Sequence, residues 1–338
     1  MLTNRFEMKN NSCIIFFMHL MRIFGIFPYT WKIKFDSNNP TVIKGIENIK
    51  LSKILVIWST FLHVTISFLF VYNHENYHRV FLNTSTKSMS HTMQVTSGLY
   101  QLMIKICLTS LLISITTNNK KLANLLYEYN YIIFSSTSKL SNLIFFVFFI
   151  LFSIIHCISN ILYYNFLVKI IDIFVVISLV LYSLISTIIP LIFVFFFYFV
   201  SQNIGNSWKS INIPLSSKWS IVKCKNITNQ KEIGKSQKNA SDINEQLVCL
   251  SSKAKYVSNL NDLQIKFNSI FSSSISIILI IKIFNQIGSV FGFISETVLI
   301  EVKIASLHEI MMNILMFILI CESPMGPKQQ VGFHIIFN

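Results

Sequence analysis

Phe267–Ile294 reads F-N-S-I-F-S-S-S-I-S-I-I-L-I-I-K-I-F-N-Q-I-G-S-V-F-G-F-I, with Lys282 its one charged residue. At about 1.5 Å of rise per residue, a helix of this length covers about 42 Å, more than the roughly 30 Å of a bilayer's hydrocarbon layer. A membrane barrel would instead alternate apolar and polar positions over short segments. The stretch therefore reads as a transmembrane helix. The rest of the chain agrees: 53% of its 338 residues are hydrophobic, 12% are charged, and the mean hydropathy is +0.58. A soluble fold of this size needs more polar surface.

Five further runs satisfy the same ruler: Ile54–Tyr72, Met93–Ile115, Leu143–Leu162, Ile170–Val200 and Ile304–Cys321. The fold class is an all-α, polytopic transmembrane helical bundle with six predicted spans. Ile170–Val200 is longer than one perpendicular crossing and contains Pro190, so a tilt, a kink or a cytoplasmic overhang is expected rather than two spans. Ile304–Cys321 is the weakest span, because His308 and Glu309 lie near its start. Ahead of the first span, Cys13–Phe27 is apolar but interrupted by His19 and Arg22, and no small-residue cleavage site precedes Pro28. It reads as an interfacial amphipathic helix, with Met18, Met21, Phe24 and Ile26 on its apolar face, and not as a signal peptide.

Loop charge sets the orientation. Segments 1–53, 116–142, 201–266 and 322–338 hold 22 Lys or Arg, whereas 73–92, 163–169 and 295–303 hold four. Cationic loops stay in the cytosol, so both termini are expected there, and the +14 net charge fits anionic inner-leaflet lipid. No Arg-rich or aromatic-interleaved motif indicates a nucleic-acid partner. Asn83-Thr84-Ser85 is a sequon on the predicted outer side, where glycan can be added; those at Asn226 and Asn239 fall in the basic cytoplasmic loop and should stay bare. The middle of that loop, about 215–250, is expected to be disordered or loosely helical, with its flanks extending the fourth and fifth helices. The six cysteines are scattered, no nucleotide-binding or hydrolytic motif is present, and neither enzymatic activity nor a metal or cofactor is expected.

Polar residues at membrane depth carry the functional information. Lys105 is near the middle of the second span and should face the bundle interior; Asp172 and Glu309 are the carboxylates nearest to that depth. In the fifth span, Ser269, Ser272, Ser273 and Ser276 form one polar stripe, and Lys282, Asn285, Gln286 and Ser289 form a second that points roughly the opposite way. A helix interface below and a hydrated, ligand-facing cavity above would explain the change of face, although interhelical hydrogen bonding alone also accounts for it. His63 and His156 lie on apolar faces, where a packed histidine is the plainer reading; the sequence also places His156 among the candidate ligand contacts with Lys282, Asn285, Gln286 and Lys105.

Three stretches resemble the insect gustatory receptors, relatives of the insect odorant receptors. Arg22-Ile23-Phe24-Gly25-Ile26-Phe27-Pro28 is similar to their Gly-x-x-Pro segment before the first span. Phe193–Val200 continuing into Ile204-Gly205-Asn206-Ser207-Trp208-Lys209-Ser210-Ile211-Asn212 resembles their exit into the second cytoplasmic loop. Leu260-Asn261-Asp262-Leu263 followed by Phe267-Asn268-Ser269-Ile270-Phe271 resembles their entry to the fifth span. The resemblance implies a plasma-membrane receptor of sensory neurons that binds a small-molecule tastant and acts as a subunit of a homo- or hetero-oligomeric cation channel. It also implies a seventh, pore-lining helix with a Thr-Tyr and Gln-Phe signature, which the residues up to Asn338 do not contain. A membrane transporter of a small solute is the rival reading.

Overall fold

The computed structural model describes residues 10–35, 43–84, 91–134, 141–167, 173–225, 236–294 and 300–322. Their order is α1 (Asn10–Ile23), β1 (Tyr29–Phe35), β2 (Ile43–Leu51), α2 (Lys53–Thr84), α3 (His91–Glu128), α4 (Asn130–Ile133), α5 (Ser141–Leu167), α6 (Ile173–Lys225), α7 (Ser236–Ile294) and α8 (Ile300–Glu322). The described residues of each of the six apolar runs are helical. Three stretches, Leu102–Glu128, Ile185–Trp208 and Ala254–Val290, are long and apolar enough to cross a membrane; Lys53–Leu69, Phe146–Ser159 and Ser306–Cys321 are shorter apolar helices. Side chains such as Ile57, Phe61, Phe68, Ile106, Ile154 and Phe174 stand exposed on the outer faces. Apolar residues thus occupy both the inside and the outside of the bundle, as a lipid-embedded helix requires.

The described part of the fourth run is one continuous helix and not two. α6 runs unbroken for 53 residues through Pro190, and α7 for 59. At about 1.5 Å per residue each is longer than 75 Å, more than twice the hydrocarbon thickness. The two flanks of the basic loop are therefore helical, as the sequence suggests; residues 226–235 lie outside the described part, as does Asp172.

Two expectations for segment 1–53 need correction. First, the chain is not all-α, because β1 and β2 form an antiparallel hairpin. The alternation Tyr29, Trp31, Ile33, Phe35 against Thr30, Lys32, Lys34 favours a strand with one face covered. Its partner is harder to read, since the register slips between Thr30 and Lys32 and Asn48 takes a left-handed φ of 53°. Such a bulge shifts the apolar positions of β2 out of simple alternation, and asparagine tolerates that conformation.

Second, the apolar face of α1 is covered by the bundle and is not free to rest on a membrane surface. Cys13, Ile14, Phe17, Met18 and Met21 are wholly buried, and α1 packs on α6 and α5. Phe17 stacks on Phe195 and Phe199 at 5.5 and 5.6 Å between ring centroids and meets Phe149 edge-on at 4.9 Å. The Phe193–Phe199 run is largely core, with Phe193, Phe195, Phe196 and Phe199 at most 2% exposed.

The end of α1 explains why Gly25-Ile26-Phe27-Pro28 follows it. Gly25 has φ +67°, its N–H donates to Arg22 O at 3.1 Å, and Ile26 N–H donates to Met21 O at 2.7 Å. This is a Schellman termination, which favours glycine at the left-handed position. A Cβ there would also lie 2.9 Å from Ser59 Cα of α2. α2 caps the same turn, with Ser59 Oγ donating to Gly25 O and Trp58 Nε1 to Ile23 O at 2.9 Å.

Candidate functional site

α7, α8 and α5 bring together a group of polar side chains within an otherwise apolar bundle. Lys282 of α7 is 1% exposed, and its Nζ lies 3.6 Å from Glu309 Oε1 of α8. Asn285, one turn further along α7, donates through Nδ2 to the same Oε1 at 3.4 Å. A buried ammonium is costly without an opposite charge, so Glu309 is the residue that makes Lys282 tolerable here. The separation exceeds ordinary hydrogen-bond reach, so the pair interacts mainly by charge.

Next to Glu309, His308 turns its ring onto His156 of α5, with centroids 5.4 Å apart and an interplanar angle of 29°. Phe152, one turn before His156, flanks the His308 ring at 6.4 Å. Several polar atoms along these faces are buried without a hydrogen-bond partner: Gln286 Oε1 on α7, His308 Nε2 and both Asn313 amide atoms on α8, and Ser153 Oγ on α5. The helical spacings explain the alignment. Ser153 and His156, Lys282 and Gln286, and Glu309 and Asn313 are each three or four residues apart, so each pair shares one face.

Of the candidate ligand contacts, Lys282, Asn285 and Gln286 share one stripe of α7, from which Lys282 and Asn285 reach Glu309 of α8, and His156 joins through His308. Lys105 is also buried, at 3% exposure, but on α3. Glu128 pairs with Lys266, and Asn118 and Ser114 bond Ile270 and Ser273, so α3 and α7 run antiparallel. The same progression puts Lys105 at about the depth of Lys282. The ion pair itself is made by α7 and α8, and Glu309 serves Lys282. Asn83 lies in the last turn of α2, and nothing is described of its side chain.

His308 and Glu309, which weaken the sixth run as an apolar span, supply its contribution to the polar group, and Glu309 is one of the two carboxylates that the sequence places nearest to the depth of Lys105. Glu309 and Asn313 at i, i+4 were the available signal. The serine stripe is split. Ser273 and Ser274 both bond Ser114 of α3, at 2.8 and 2.9 Å, whereas Ser269 is exposed and bonds its own helix at Lys266 O. The interface half of the two-environment reading is thus carried by Ser273 and by Ser274, a residue outside the stripe.

Fold and site define a mostly helical chain with membrane-capable helices and a buried charged group among them. No protein-family model matches the chain, and no curated protein matches it.

Proposed function

We propose that this protein is a chemosensory receptor of the gustatory type, spanning the plasma membrane of a sensory cell six times with both termini in the cytosol. Its ligand is a small tastant held beside Lys282, Asn285, Gln286 and His308. The observation that carries the reading is the Lys282–Glu309 pair, set among buried polar atoms that have no protein partner. A hydroxylated or amide-bearing ligand supplies the missing hydrogen bonds, and binding that favours one packing of α7 against α8 shifts a two-state bundle. The loop-charge imbalance and the likeness to gustatory receptors support the orientation and the class; the same likeness supports cation conduction in an oligomer.

Gln286→Ala tests the site without disturbing the ion pair. Cells expressing the receptor with a calcium indicator are challenged with panels of sugars, amino acids and bitter compounds. A right-shifted dose-response with unchanged surface delivery is expected. An unaltered dose-response removes Gln286 from the ligand site.

A transporter is favoured by the same buried pair, since membrane-embedded Lys, Glu and His also serve as coupling residues. Solute flux into vesicles without ligand-gated current selects that reading.

A further inference from the structure

A groove lies between α2 and α3, apart from the polar group just described. The two helices leave a half-open groove of about 400 Å³, within the range of small-molecule pockets. Its polar wall consists of His63 and Ser67 on α2 and Thr109, Thr116 and Thr117 on α3. Ile66, Leu108 and Leu112 form the apolar part, and Ile113, 59% exposed, stands at its edge. Val64 and Phe68 are exposed on the neighbouring surface, so the groove opens onto an apolar exterior.

The direction of each hydrogen bond decides what this wall can bind. Ser67 Oγ donates to His63 O at 2.8 Å, Thr109 Oγ1 to Lys105 O at 3.0 Å, Thr116 Oγ1 to Leu112 O at 2.6 Å and Thr117 Oγ1 to Ile113 O at 2.9 Å. Each hydroxyl proton is thereby committed to its own helix, and only oxygen lone pairs remain for a ligand. His63 follows the same logic. Ser59 Oγ donates its proton to Gly25 O, so the 3.4 Å contact between Ser59 Oγ and His63 Nδ1 requires Nδ1–H as donor. The neutral ring then carries its free lone pair on Nε2. All five polar side chains of the groove therefore present acceptors, and its lining contains no carboxylate to balance a cation.

We infer that the groove binds a neutral, lipid-soluble alcohol, whose apolar body lies against Leu108 and Leu112 and whose hydroxyl donates to His63 or a neighbouring hydroxyl. Ethers, ketones and esters of the same shape bring no donor and are discriminated against. The site is reached from the bilayer and is independent of the receptor reading.

The test uses the full chain in phosphatidylcholine nanodiscs with a diazirine-bearing long-chain alcohol as photolabel. Competition by 1-decanol is compared with decyl methyl ether at equal concentration in the bilayer. Label is expected on α2 and α3 peptides, with the alcohol competing about 2- to 10-fold better, the worth of one net hydrogen bond. His63→Phe should narrow that ratio, and Ile113→Trp at the groove edge should reduce labelling while leaving the protein monodisperse. Equal competition by the ether on the unaltered protein overturns the proposal. So does label spread evenly over the lipid-facing helices. Neither result requires a variant to fold.

Discussion

Lys282 and Glu309 face each other across the α7–α8 interface with 3.6 Å between Nζ and Oε1, the lysine side chain 1% exposed and the glutamate 20%. The asymmetry matters. Lys282 is enclosed by protein, so its tolerance rests on the glutamate opposite, whereas Glu309 is partly exposed.

Glu309→Gln should therefore destabilise the bundle by about 3–5 kcal/mol, the cost of breaking a buried pair from one side. Thermal unfolding of the detergent-solubilised protein followed by size exclusion measures it. The double variant Lys282→Met/Glu309→Leu should recover most of the loss. A double variant as unstable as the single would show that charge compensation is not what joins these helices.

Phe17 tests the placement of α1. It stacks on Phe195 and Phe199 and is wholly buried, so Phe17→Ala should cost about 3–5 kcal/mol, with Phe17→Leu costing less. A helix merely resting on the membrane surface would show almost no change in thermal stability.

One amide pairs with the outer edge of the hairpin. Asn130 Oδ1 accepts from Ile46 N–H at 3.0 Å while its Nδ2 donates to Ile46 O at 2.5 Å, so the side chain substitutes for a third strand at β2. Asn130→Ala should cost about 1–3 kcal/mol by leaving both backbone groups unmatched. Amide exchange in Ile43–Leu51 should accelerate, and Asn130→Asp, which keeps only the acceptor, should be intermediate. A Cβ at Gly45 would collide with Asn130 Oδ1, so Gly45→Ala should give the same exchange signature.

The proposed topology is checked by glycan. Asn83 lies in the final turn of α2, eleven residues and about 16 Å of helix beyond Tyr72, which the proposed topology puts outside the hydrocarbon layer. Expression in a glycosylating host should give one mobility shift, removed by Asn83→Gln. Glycan on Asn226 or Asn239 would invert the orientation.

What the sequence determined by itself is the set of helices. Hydropathy over about 20 residues is a local property that a bilayer amplifies, since an unsatisfied backbone group in hydrocarbon is prohibitive. Ile54–Tyr72, Met93–Ile115 and Phe267–Ile294 were legible for that reason, and so was the stripe of Lys282, Asn285 and Gln286, because helical periodicity fixes which residues share a face. The tertiary structure decided who meets whom. That Lys282 is answered by Glu309, that His156 meets His308, and that Asn130 completes a hairpin 84 positions earlier depend on how helices pack, which local spacing does not encode. The hairpin was missed because a bulge at Asn48 breaks its alternation, and the burial of α1 because an apolar face looks the same whether it meets lipid or Phe195.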